Sequence, residues 1–140
     1  MLRTETLTCA EAGLLNPLQL AYIGDAVWET LIRCEMIRRR INLHHMHIES
    51  VKYVNAHAQA EWMREMEPLL DERETEIARR GRNAHARHPA PRNQSPGDYA
   101  AASAFEAVIG YWYLTGSEEK LKSVFDMIIG GLENGRGEKT

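Results

Sequence analysis

No stretch of this chain alternates apolar and polar side chains, and no Asn-Gly or Asp-Gly pair joins two β-rich segments. That removes the signals of half-buried strands and hairpins. Apolar residues recur instead at intervals of three and four, the spacing that lines one face of a helix. Leu20, Ile23, Val27, Leu31 and Cys34 form one such stripe. It predicts a long helix begun by Pro17, which suits a first turn, and ending near Arg39. Thr8 with Glu11, and Asp71 with Glu74, have the spacing of capping boxes and predict two further helix starts. Ile48, Val51, Val54, Ala58 and Trp62 read as one helix interrupted by Pro68, and the helix from Asp71 is expected to stop at Arg80-Gly81. Asp98 is expected to cap a helix running to Leu114, and Ser117 a last one bearing Leu121, Val124, Phe125, Ile128 and Leu132. The pattern is an all-α domain of five to seven helices.

With 140 residues and 44% apolar content, the chain is expected to form one domain, 1–132, followed by a frayed Gly- and charge-rich tail, 133–140. The net charge of −3 gives no global attraction to nucleic acid, so any such contact must come from a local basic patch. Cys9 and Cys34 have no motif spacing and read as buried or half-buried free thiols of a reducing cytosol. No apolar run follows the N-terminal residues, and the two most apolar stretches, 14–31 and 100–114, carry Asp25 and Glu106 near their centres. Neither segment could cross a bilayer cheaply, so a soluble, cytoplasmic protein is expected.

Asp25 and Glu106 are the informative anomalies. Each is a lone charge among residues that prefer an interior, and a buried carboxylate is costly unless paired, protonated or bound to a cation. Each also has a helical glycine nearby, Gly24 beside Asp25 and Gly110 one turn after Glu106. Glycine inside a helix costs roughly 1 kcal/mol relative to alanine. Close approach of two backbones would repay that cost and bring the two carboxylates together. Such a pair would supply hard oxygen ligands for magnesium or manganese. A buried ion pair of either acid, for instance with Arg33 or Arg64, accounts for the same pattern.

Around these residues the chain resembles a known family. Leu18-Gln19-Leu20-Ala21-Tyr22-Ile23-Gly24-Asp25-Ala26-Val27 resembles the signature helix of ribonuclease III, and Phe105-Glu106-Ala107-Val108-Ile109-Gly110-Tyr111-Trp112-Tyr113-Leu114 resembles that family's second motif. Ala58-Gln59-Ala60 and Arg79-Arg80-Gly81-Arg82-Asn83-Ala84 are similar to its short bacterial form, the mini-ribonuclease III group, a catalytic domain without a double-stranded-RNA-binding module. The resemblance implies a ribonuclease III-like helical endonuclease domain acting as a homodimer on double-stranded RNA. It also implies magnesium, with manganese as substitute, held by Asp25 and Glu106 as the catalytic residues. It points to 23S ribosomal RNA precursors as substrate, with a large-subunit ribosomal protein as helper. The full-length family has further acids where this chain has Ala21 and Ser103, so weaker metal binding is expected. Glu29, one turn after Asp25, either compensates in part or forms an ion pair. The alternative function is a catalytically silent domain of this type that binds RNA or ribosomes as a scaffold.

Arg79, Arg80, Arg82, Arg87 and Arg92 fall within fourteen acid-free residues together with His85 and His88. Such a run is either a solvated face or a phosphate grip, and duplex RNA is read largely through phosphates and 2′-hydroxyls that suit arginine. These five arginines are the RNA-binding candidates. Arg38-Arg39-Arg40 could touch phosphate or simply favour the end of its helix. His44, His45 and His47 lack further ligands at metal spacing and read as solvated or RNA-facing. Trp28, Trp62 and Trp112 read as packing residues of the core or of a dimer interface.

Overall fold

The computed structural model describes residues 5–84, 92–93 and 95–138, the last seven of these as backbone only. Its α-helices are α1 Cys9–Gly13, α2 Pro17–Arg38, α3 Leu43–Val54, α4 Ala56–Met66, α5 Glu72–Asn83, α6 Pro96–Leu114 and α7 Glu118–Glu138, with a 3-10 turn at Glu67–Leu69. No strand occurs among the described residues. No described helix is long and apolar enough to cross a membrane. The tail expected at 133–140 lies outside the residues whose side chains are described.

The starts of α1, α2 and α5 follow from local chemistry. Thr8 and Glu11 exchange backbone–side-chain hydrogen bonds of 3.0 and 3.1 Å, and Asp71 and Glu74 do the same at 3.0 and 2.8 Å. Asn16 caps α2 with Pro17 in its first turn. Three boundaries differ from the sequence expectation. The single helix expected across 48–62 is two helices, because Asn55 takes an extended backbone and accepts a bond of 2.8 Å from the Ala58 amide. Ser95, not Asp98, caps α6, with Pro96 next to it. Asp98 instead pairs with His57 and Arg64. Finally, α5 does not stop at Gly81, which is buried within it and sits against Ala104 of α6.

α6 is the central element. Eleven of its nineteen residues are buried, which marks a helix covered on most sides. It packs against α2, α4, α5, α7 and α1. Where α2 and α4 meet it, Trp28 packs edge-on to Phe105 at 5.0 Å and tilted to Trp62 at 5.9 Å. The Trp28 indole donates to the Tyr53 carbonyl at 2.7 Å and that of Trp112 to the buried Glu74 carboxylate at 2.7 Å, so all three tryptophans belong to the core of the subunit. On α2 the inward stripe is Leu20, Gly24, Val27, Trp28, Ile32 and Met36. The stripe expected through Leu31 and Cys34 is therefore rotated: Leu31 is half-buried and Cys34 exposed, because Trp28 and Ile32 take the inward positions. Cys9 is exposed as well, so neither thiol is sequestered as expected.

Candidate active site

The approach of α2 to α6 is set by two glycines. A Cβ on Gly24 would fall 1.8 Å from the Glu106 carbonyl oxygen, and one on Gly110 would fall 2.0 Å from that of Leu20. Real atoms cannot sit so close, so only glycine allows these backbones to touch. Asp25 follows Gly24 directly, and Glu106 precedes Gly110 by one turn. The two carboxyl groups are consequently close enough across the crossing for Asp25 to act on Glu106.

Their burial differs from the expectation that both lie inside. Glu106 is half-buried, but Asp25 is exposed, because α2 turns Tyr22, Asp25 and Ala26 outward while Leu20, Gly24 and Val27 face in. Burial, then hydrogen bonding of its protonated form to the Asp25 carboxylate, then the charges of Asp25 and Glu29 push the Glu106 carboxyl up to about 8. Near neutral pH Glu106 therefore holds its proton. The ion-pair account fails for the two arginines considered. Arg33 is bound to Glu29 at 3.1 Å and Arg64 to Asp98 at 3.3 Å, and no ion pair reaches Asp25 or Glu106 among the described residues.

Two converging acids without a cationic partner fit a divalent cation, whose charge would replace the proton of Glu106. Among the described residues no group of three or more His, Cys, Asp or Glu side chains converges to hold a metal. Water must therefore complete the shell of any cation at this pair. Ala21 is half-buried and Ser103 buried, and neither adds a carboxylate to the pair.

The arginines are not the uniform patch the sequence suggested. Arg79 is exposed and ion-paired with Glu76, and Arg82 is ion-paired with Glu67. Arg80 donates to the carbonyls of Gly13 and Leu15 at 2.8 and 3.2 Å, binding α5 to the end of α1. Arg92 is exposed in a turn, and Arg87 lies outside the described residues, as do His85 and His88. Arg38 and Arg39 both pair with the buried Glu35. His45 is drawn to Asn42, the cap of α3, with its amide and its ring nitrogen each 2.9 Å from the Asn42 oxygen.

Two polar features escaped the sequence reading. His57 Nδ1 lies 2.9 Å from Asp98, a contact across 41 residues that no local pattern announces. Gln59 is 3% exposed on the inner face of α4 with Trp62, Met63 and Met66. Like Asp25 and Glu106 it is a polar group at an apolar position, a signal present in the sequence.

An all-α domain with one acid on each of two helices locked by glycine fits the resemblance to ribonuclease III, and the comparisons show the family. Residues 18–117 match the model of the Ribonuclease III domain, so the chain belongs to the ribonuclease III family and is an endoribonuclease. It is 40% identical over 123 residues to the Mini-ribonuclease 3 of Symbiobacterium thermophilum, covering 87% of this chain and 94% of that one. It is 42% identical over 120 residues to the Mini-ribonuclease 3 of Staphylococcus aureus, covering 83% and 88%. A crystal structure of a Fusobacterium nucleatum protein superposes with a TM-score of 0.79 at 31% identity, covering 84% of this chain and 94% of that one.

Proposed function

We propose that this chain is a divalent-metal-dependent endonuclease that cuts double-stranded RNA as a homodimer and acts on 23S ribosomal RNA precursors, with a large-subunit ribosomal protein as helper. The observation that carries the catalytic part is the Asp25–Glu106 pair, held by the Gly24 contact and left without a cation of the protein's own. In this reading both carboxylates hold magnesium, or manganese in its place. The cation supplies charge that offsets the developing charge on the phosphodiester and lowers the pKa of a bound water. Asp25 keeps the site open to solvent, while half-buried Glu106 loses its proton when the cation binds.

Leu14 and Tyr22 are 86% and 83% exposed, and such large apolar side chains on the outer side of the signature helix and its approach suit a self-complementary interface. Arg79, Arg82, Arg87 and Arg92 would meet phosphate, the first two exchanging Glu76 and Glu67 for it. Arg80, tied to α1, would support that surface from behind. The deciding experiment is incubation of the purified protein with a long RNA duplex, with and without magnesium. Fragments that require the metal and disappear with EDTA are expected. Intact duplex under every divalent metal would instead favour an RNA- or ribosome-binding scaffold.

A further inference from the structure

The side-chain amide of Gln59, 3% exposed, has no hydrogen-bond partner among the described residues. A carboxamide offers two donors and an acceptor, and native proteins seldom leave such a group buried and unpaired. Its neighbours along the inner face of α4 are Ala60, Trp62, Met63 and Met66, where methionine or leucine would pack without that cost. The amide therefore has another task.

Contacts on either side of Gln59 locate it. His57 reaches Asp98 at 2.9 Å, and the Trp62 ring lies 6.0 Å from Phe105. Gln59 lies between these two positions on α4, whose contacts on α6 run from Asp98 to Phe105, the stretch that precedes Glu106. Trp62 also touches Trp28, three residues after Asp25 on α2. α4 thus packs, within one turn of Gln59, against the segments of α2 and α6 that carry the two carboxylates. Ser103 lies in the same interval of α6. It is 7% exposed, its hydroxyl too is without a partner among the described residues, and it precedes Glu106 by three residues on the same side of the helix.

We propose that Gln59, with Ser103, is a positioning residue for the cation held by Asp25 and Glu106: the amide oxygen and the hydroxyl accept hydrogen bonds from the waters that complete the cation's shell. This rests on the metal reading above. With two carboxylates as protein ligands the ion keeps several waters, whose hydrogens need acceptors, and groups of this kind orient a site strongly. Neutral acceptors do so without adding charge.

The test compares wild type, Gln59→Met and Ser103→Ala by thermal unfolding, first without divalent metal and then across a magnesium titration. Gln59→Met is expected to melt at or above wild type without metal, because an unpaired buried amide has been removed. The magnesium concentration giving half of the stabilising shift should rise about tenfold. Ser103→Ala should move it in the same direction by less. A wild-type shift that Asp25→Asn abolishes establishes the cation reading independently. An unchanged midpoint in Gln59→Met, or a lower melting temperature without metal, would then overturn the proposal alone. Absence of any wild-type shift overturns the cation reading and this proposal together.

Discussion

Gly24 lies against the main chain of Glu106, so closely that the carbonyl of one helix fills the space where the other would carry a Cβ. The carboxylate pair is therefore set by a backbone contact, and its geometry should be sensitive to one methyl group. Gly24→Ala gains about 1 kcal/mol of helix propensity. That gain is outweighed, because the obstructing atoms are backbone and α2 must shift as a whole, an overpacking cost of roughly 1–3 kcal/mol or more. Denaturant unfolding should show net destabilisation, with cleavage reduced further than stability explains. Gly130→Ala is the control, since nothing lies within 4 Å of its Cβ position and it should unfold at or above wild type. Equal behaviour of the two variants would refute the contact.

The raised Glu106 carboxyl predicts the pH dependence of the metal-free protein. In the unfolded chain this group titrates near 4.5, and in the folded one at about 8. Between those values the folded state holds a proton that the unfolded state has released. Its contribution to stability is therefore greatest below pH 4.5 and is lost as the pH rises toward 8. In EDTA, Glu106→Gln should remove this slope and gain on wild type between pH 5 and 8. Magnesium competes with the same proton, so its stabilising shift should grow over that window. Parallel melting curves for the two proteins across pH would contradict the assignment.

Asp25→Asn and Glu106→Gln keep shape while removing charge. Each is expected to lose cleavage by roughly a hundredfold or more, the scale on which even groups outside a metal's own ligands act. The fold should survive, since Asp25 is exposed and the neutral amide suits the half-buried position of Glu106. Single-turnover cleavage with circular dichroism as a folding control decides this. Near wild-type rates in either variant would remove that residue from the site.

How much of this was legible in the sequence depends on the range of the interaction. Capping at Thr8 and Asp71 is local, so those starts could be read directly. The acid–glycine pairs on α2 and α6 pointed to a close crossing because a helical glycine carries a cost that needs a reason. The break at Asn55 was hidden because its flanking residues keep an apolar rhythm, and only the cap geometry separates α3 from α4. Helix phase on α2 is not fixed locally: Leu31 and Cys34 fit a stripe as well as Trp28 and Ile32 do, and the position of α6 decides between them. The arginine run looked free of acids because Glu67 and the carbonyls of Gly13 and Leu15 approach it only after folding.

Tyr22 provides the test of assembly. At 83% exposure its ring contributes little to the subunit's own core, so Tyr22→Glu should leave the melting of the isolated fold nearly unchanged. If the outer side of α2 pairs about a twofold axis, the variant places two like charges at the interface. Sedimentation at micromolar concentration should then show a dimer for wild type and a monomer for the variant. Dimers in both would move the interface away from this residue.

The arginines separate into groups that mutation can tell apart. Arg79 and Arg92 are exposed, and the pair of Arg79 with Glu76 joins neighbouring turns of α5 at the surface, where such pairs contribute about 0–1 kcal/mol. Replacing both with alanine should barely alter unfolding. Every phosphate that an arginine no longer neutralises lowers the slope of log affinity against log salt by somewhat under one unit, so removing two such arginines lowers it by about 1–2. Turnover on saturating RNA should suffer less, because the carboxylate pair is untouched. Arg80→Ala should do the reverse. Its guanidinium satisfies two carbonyls at the end of α1, and a hydrogen bond from a charged donor is worth roughly 1.5–3 kcal/mol, so stability falls while the salt slope changes little. Filter binding across a salt series, with unfolding curves for the same proteins, measures both effects. A double variant of Arg79 and Arg92 that keeps wild-type affinity and slope would show these arginines to be a solvated face. The RNA contact would then be sought at Arg38–Arg40 and the His44–His47 turn.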